Sequence, residues 1–159
     1  MFRILFLFLT TTLFLFSNPI KFKEEKYINA LHSSIQKNGI LKFEDNSIEI
    51  IYQGTNKSFI FYDDYIGLKT EEKEEILKYE ENMELTIFSK LIKGIYRNQQ
   101  EELTEYFEIT NENEKTILVP NEYLSNAIQK IEYKKIEEKL EFLKIYFSNE
   151  DWINIVQIN

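Results

Sequence analysis

The sequence predicts a mainly β chain with helices, of the α+β class, folded as one domain. Between residues 40 and 80, five short segments rich in Ile, Phe and Tyr are separated by polar turn residues, which is the spacing of antiparallel hairpins. Aromatic residues, which favour strands, make up 15% of the chain. A length of 159 residues suits one hydrophobic core, and no linker or internal repeat divides the chain.

Periodicity assigns the elements in order. Apolar residues three and four positions apart predict a first helix, which Asn38 and Gly39 would end. The helical segments are 22–37, 83–97, a short turn near Leu103 and a short helix around 123–127 after Pro120. The predicted strands are 40–44, 47–53, 58–62, 65–69, 75–80, 106–110, 115–119, 129–136, 140–147 and 152–158.

The first residues are typical of a secretory signal peptide. Arg3 gives a positive start, residues 4–16 are apolar apart from three threonines, and Ser17 is a small residue before a cut. A retained membrane anchor is the alternative, but this stretch is shorter than the roughly 20 residues that a spanning helix needs. We therefore expect a signal peptide over 1–17, one mature domain over 18–159 and a periplasmic location.

Charge and composition exclude several classes of partner and site. The formal net charge of −8 would repel a phosphate backbone, and no basic stripe with interleaved aromatic residues is visible along the sequence. Removing residues 1–17 takes away one basic and no acidic residue, which leaves 18 basic against 27 acidic residues, or −9. The chain has no cysteine, so it forms no disulfide, thiolate metal site or thiol nucleophile. We expect no nucleic acid partner.

Residues typical of catalysis are sparse. The only histidine is His32, inside the predicted first helix, where a polar surface role is ordinary. The acidic runs at 71–75 and 80–81 lack the spacing of a calcium loop. The sequence contains no phosphate-binding loop, dinucleotide fingerprint or nucleophile elbow. We therefore expect no enzyme activity, no cofactor and no metal site.

Several segments, taken in their order, resemble the LolA-type outer-membrane lipoprotein carrier proteins. That family shares a helix before a "YFEI"-like strand, a strand that ends in proline, and an aromatic strand before the last hairpin. The corresponding segments here are the helix at 87–94, Tyr106-Phe107-Glu108-Ile109 within 103–109, the strand 115–120, the segment 143–151 and the earlier strands 39–43 and 59–64. The likeness covers most of residues 22–158.

The resemblance implies an incompletely closed antiparallel β-barrel with a helical lid over a hydrophobic cavity. It also implies a monomeric carrier of acylated lipoproteins, loaded by an inner-membrane lipoprotein-releasing ABC complex and unloaded by an outer-membrane acceptor. The family commonly has a basic-Pro-Asn turn whose Arg helps to control the lid, whereas this chain has Glu44-Asp45-Asn46 there. The family's gating step is therefore not carried over.

Strand and helix faces select the residues expected to line such a cavity. They are Ile48, Ile50, Tyr52, Phe59, Phe61, Phe88, Leu91, Ile92, Leu143, Ile145 and Phe147. The alternative for any one of them is an ordinary packed core.

Two other functions stay open at this point. One is a periplasmic interaction or sensing module of the same fold, which binds lipid or protein. The other is a hydrolase with two carboxylates in a water-filled cleft.

Overall fold

The structure, a computed structural model, describes residues 18–158 and consists of one large antiparallel sheet with one α-helix. The eleven strands follow the order β6-β5-β4-β3-β2-β1-β11-β10-β9-β8-β7. Their bounds are β1 Ile20–Ile28, β2 Ser33–Phe43, β3 Ile48–Tyr52, β4 Ser58–Phe61, β5 Ile66–Lys69, β6 Glu74–Leu77, β7 Phe107–Glu112, β8 Lys115–Pro120, β9 Ile128–Ile136, β10 Lys139–Phe147 and β11 Trp152–Ile158. The helix is α1, Met83–Tyr96.

The sheet is open, because β6 and β7 are its two edges and do not pair with each other. Its two halves join at the centre, where the first strand pairs with the last in an antiparallel register from Lys21 opposite Ile158 to Tyr27 opposite Trp152. Along the chain, α1 connects the two edge strands. The predicted fold class and the incomplete closure of the sheet are confirmed.

The sequence located most elements correctly. All ten predicted strands are present, nine of them with small changes in their ends, and the helix predicted over 83–97 is α1. The strand predicted over 40–44 is only the last part of β2, which begins at Ser33. The turn predicted near Leu103 is a 3₁₀ turn, Gln100–Leu103. The segment after Pro120 was predicted as a short helix but forms separate hydrogen-bonded turns, in which Leu124 donates to the Asn121 carbonyl and Ala127 to the Leu124 carbonyl.

The helix predicted over 22–37 is wrong, because this segment forms most of β1, a 3₁₀ turn and the first part of β2. Two of the apolar residues that suggested a helical face, Leu31 and Ile35, are 67% and 49% exposed. Burial instead follows the period of two, with Phe22 and Glu24 buried on one side of β1. Hairpin pairing over all nine residues of β1 outweighs the local helical pattern.

The same error misplaced two other features. Gly39, predicted to end a helix, lies inside β2 opposite Phe22. His32 follows the hairpin turn with a φ of 47° and is exposed. The predicted signal peptide over 1–17 lies outside the described residues. Over 18–158, no helix combines the length and apolar character needed to cross a bilayer.

α1 is amphipathic and ends abruptly. Its buried side includes Ile87, Leu91, Ile92 and Ile95, which recur at helical spacing. The helix stops at Arg97, and the next residue, Asn98, has a φ of 57°, which turns the chain away. Because its buried side faces the sheet, α1 completes the hydrophobic core.

Candidate functional site: the inner face under the helix

The inner face of the sheet is the side that packs against α1, and its side chains come from every second residue. In the first half, Ile48 lies opposite Phe61, and Ile50 lies opposite Phe59. In the second half, Leu143 pairs with Ile155 and Tyr133, and Ile145 with Ile153 and Ile131. The inner face is therefore a nearly continuous apolar surface across both halves.

All eleven residues predicted to line a cavity belong to one hydrophobic cluster. Seven are buried and four are partly buried on its margin. The buried ones are Ile48, Ile50, Phe61, Leu91, Ile92, Leu143 and Ile145, and the partly buried ones are Tyr52, Phe59, Phe88 and Phe147. The structure thus brings the predicted set together, while contact with a lipid stays a prediction.

In this structure, the side chains of α1 occupy the space over the inner face. The ring of Phe88 lies 6.2 Å from that of Phe61, and the ring of Tyr96 lies 5.3 Å from that of Phe43. Leu91, in the middle of the helix, is fully buried. The predicted cavity wall is therefore the surface against which the helix packs.

A few polar contacts hold the C-terminal end of α1 to the sheet. Arg97 donates to the carbonyls of Glu44 and of Ser47, the latter at 3.0 Å. Lys135 Nζ donates to the Ile95 carbonyl at 3.0 Å. The turn at 44–46 is thus bound by Arg97, the residue that directly follows α1. Sequence reasoning missed this residue because it compared only the turn.

A second polar contact is made from the last turn of α1. Lys93 is buried, and its ammonium is 3.1 Å from the carboxylate of Asp63, which is 77% exposed. Nearby, the hydroxyl of Tyr79 donates to the Tyr62 carbonyl at 2.6 Å. A cleft of about 400 Å³, open to solvent, runs along this side of the helix and includes Lys93 and Tyr79.

One polar pair interrupts the apolar inner face. The Tyr52 hydroxyl donates to the Glu24 carboxylate at 2.6 Å. Burial, followed by the nearby Glu24 charge, raises the pKa of Tyr52 well above its ordinary value. Gly39 lies between Phe22 and Tyr52 in the sheet. Because it has no side chain, the two rings can meet edge to face, with their centroids 5.7 Å apart.

Carboxylate chemistry has little support in the cleft beside α1. Asp63 is paired with Lys93, and Glu102 lies 3.4 Å from Lys90, so two of its acids are engaged with lysines. His32 follows the hairpin turn and is not among the residues that line the cleft. Within residues 18–158, no group of three potential metal ligands converges.

Comparisons with known proteins were made for the sequence and for the structure. No protein-family model matches the chain. No curated protein matches it either. Among solved structures, the chain is similar to a LolA superfamily protein from Nitrosomonas europaea, with a TM-score of 0.46, 4% identity, and coverage of 89% of this chain and 83% of that one. It is also similar to a putative outer membrane lipoprotein-sorting protein domain from Vibrio parahaemolyticus, with a TM-score of 0.43, 9% identity and the same two coverages, 89% and 83%.

Proposed function

We propose that this protein binds acyl chains on its inner face, in exchange for the side chains of α1, and carries lipoproteins across the periplasm without catalysing a reaction. The observation that carries the proposal is the apolar surface that spans both halves of an open sheet and is covered by a single helix. The order of sequence segments that resembles lipoprotein carriers and the apolar N-terminal segment support the finer statement about cargo and location.

The energetics favour such an exchange. Each methylene removed from water contributes about 0.8 kcal/mol, so an acyl chain of about 15 methylenes gains about 12 kcal/mol on burial. The bound acyl chain then makes the apolar contacts with the inner face that α1 makes in the empty protein. The apolar side of α1 must then pack over the bound acyl chain, because exposure of Leu91 and Ile92 to water would cancel much of this gain.

The contacts of α1 with the sheet are of a kind that can be broken and remade. Lys93 pairs with an exposed carboxylate on Asp63, and Arg97 binds backbone carbonyls at the edge of the protein. Because the Asp63 carboxylate is exposed, water screens its pair with Lys93 more than it would screen a fully buried pair. We propose that these two contacts break when α1 moves outward.

Native mass spectrometry of the protein with a purified triacylated lipoprotein tests the carrier function. A soluble one-to-one complex is expected, and the same lipoprotein without its acyl chains should not bind. If the folded protein fails to bind the acylated form, the proposal is wrong and the interaction or sensing module becomes the better hypothesis.

Covalent locking of α1 tests the exchange itself. A zero-length carbodiimide joins an ammonium and a carboxylate in contact, so it should link Lys93 to Asp63, which peptide mapping can verify. The linked protein should lose most of its acyl-chain uptake. Asp63→Asn, which cannot form this link, should keep its uptake after the same treatment. Equal uptake by both treated proteins would show that α1 does not need to move.

A further inference from the structure

One part of the outer face of the sheet, opposite α1, is basic although the chain is acidic. Over strands β1, β8, β9, β10 and β11, its side chains include six lysines and only two glutamates, Glu25 and Glu132. The lysines are Lys21, Lys23, Lys115, Lys130, Lys134 and Lys144. The whole chain, in contrast, carries 27 acidic against 19 basic residues. The charge is therefore reversed on this part of the face, whereas the neighbouring edge strand β7 carries Glu108 and Glu112 on the same side.

Aromatic rings lie among these lysines. Tyr27 and Trp152 stack with ring centroids 5.6 Å apart, and Tyr146 lies next to Trp152 in the register. The Lys144 ammonium is 4.5 Å from the Trp152 centroid and 5.0 Å from that of Tyr146, and Lys130 is 4.8 Å from Tyr146. All three rings are partly exposed. We call these five residues, with Lys21 and Lys23, the outer strip.

Much of the positive charge of this face is available to a partner. Glu132 is hydrogen-bonded to Lys130 at 2.7 Å, and Lys134 to Glu114 at 2.6 Å. Over residues 18–158, however, no carboxylate lies within ion-pair distance of Lys21, Lys23 or Lys144. Since uncompensated lysines attract anions, this face is complementary to a negatively charged partner.

The sequence shows no basic stripe because five strands from the two ends of the chain assemble it. Along each strand, a lysine of the outer face alternates with a residue of the inner face, such as Lys144 with Leu143. Only the register places them side by side. A basic strip with interleaved aromatic residues, which is not visible along the sequence, is thus assembled by the pairing of the strands.

We infer that the outer strip binds the anionic surface of a phospholipid bilayer. Tyr and Trp side chains prefer the boundary between headgroups and acyl chains, and lysines keep their ammonium groups near lipid phosphates while their stems cover apolar surface. The strip is a sheet face rather than a groove, which suits a flat partner better than an extended peptide. This inference does not depend on the proposed carrier function, because the strip is on the opposite side of the sheet from α1.

Trp152 provides the readout, because it is the only tryptophan. The full chain is titrated with vesicles of phosphatidylglycerol and phosphatidylcholine in equal amounts, and with vesicles of phosphatidylcholine alone. Trp152 emission should shift to the blue with the anionic vesicles only, and 0.5 M NaCl should reverse the shift. Because Arg3 could also attract anionic lipid, the charge reversals described next, which leave residues 1–17 unchanged, assign the shift to the strip.

Matched charge reversals test whether Lys23 and Lys144 contribute to the binding of anionic vesicles. Lys23→Glu with Lys144→Glu should weaken binding to anionic vesicles at least tenfold, whereas Lys57→Glu with Lys69→Glu, exposed lysines on another part of the chain, should change it less than twofold. Circular dichroism checks folding, and Lys23→Gln with Lys144→Gln replaces the first pair if it unfolds. Equal losses in both pairs overturn the inference. So does a Trp152 shift with polyglutamate or an oligonucleotide but not with vesicles, which would assign the strip to an acidic protein or a nucleic acid.

Discussion

The inner and outer faces of the same strands differ in what their side chains do. On β10, Leu143 is fully buried against the core, while its neighbour Lys144 lies over two rings on the outer face. On β1, Glu24 is buried beside Tyr52, while Glu25 is partly exposed and bonded to Ser34. The inner face therefore determines stability, whereas the outer face carries charged side chains that the core does not constrain.

The largest effect is expected from truncating neighbouring residues on opposite faces. Leu143→Ala should lower the free energy of unfolding by about 3 kcal/mol, because it leaves a cavity in a fully packed core. Lys144→Ala should lower it by less than about 1 kcal/mol, since it removes only cation–π contacts at a partly exposed site. Urea denaturation measures both. Similar losses for the two variants would mean that the faces do not differ as described.

The second-largest change in the free energy of unfolding is expected when a methyl group is added to one glycine on each face. The new Cβ of Gly39→Ala would lie 2.2 Å from the buried ring of Phe22, so a loss of about 2 kcal/mol is expected. On the outer face, the new Cβ of Gly67→Ala would lie 2.7 Å from the end of the Glu74 side chain, which can rotate away, and 3.5 Å from the Tyr62 ring, an ordinary contact. Its stability should change by less than about 0.5 kcal/mol. A tolerant Gly39 would show that Phe22 has space to move.

These contrasts explain which parts of the fold the sequence could predict. Where apolar residues alternate over short segments bounded by turn residues, as in β3 with Ile48 and Ile50, local pattern and tertiary burial agree. α1 was found for the same reason, since its helical period coincides with its buried side. The eleven proposed lining residues came from these segments, so they form one cluster.

The β1–β2 hairpin could not be predicted because its local pattern and its burial disagree. Leu31 and Ile35 are apolar but exposed, and Glu24 is charged but buried. The residues that depend on this hairpin, Glu24 on the inner face and Lys23 on the outer face, were consequently missed. Recognition of β1 as a strand would have revealed both, since Glu24 has the same parity as Phe22 and Lys23 the opposite parity.

Removing one hydrogen bond on each side of β1 and β2 sharpens the comparison further. Tyr52→Phe leaves the buried Glu24 carboxylate without its donor, so the free energy of unfolding should fall by about 1.5 kcal/mol. Ser34→Ala removes the exposed bond to Glu25 and should change it by less than about 0.5 kcal/mol. Thermal and urea unfolding should rank the variants alike. A smaller loss for Tyr52→Phe than for Ser34→Ala would indicate that water reaches Glu24.

The smallest effect on stability appears only at high pH and concerns Tyr96, the last residue of α1. Burial raises the pKa of Tyr96 above the ordinary tyrosine value of about 10, while the unfolded chain keeps the ordinary value. Above pH 10 the unfolded state therefore loses a proton that the folded state retains, so stability falls as the pH rises and is unaffected below that range. Tyr96→Phe should make the decline between pH 9.5 and 11 shallower, whereas Tyr123→Phe, at a side chain 71% exposed, is the matched control. Urea unfolding at intervals across this range measures the slope, and an unchanged slope for Tyr96→Phe would mean that Tyr96 ionises in the folded protein, with the C-terminal end of α1 already open.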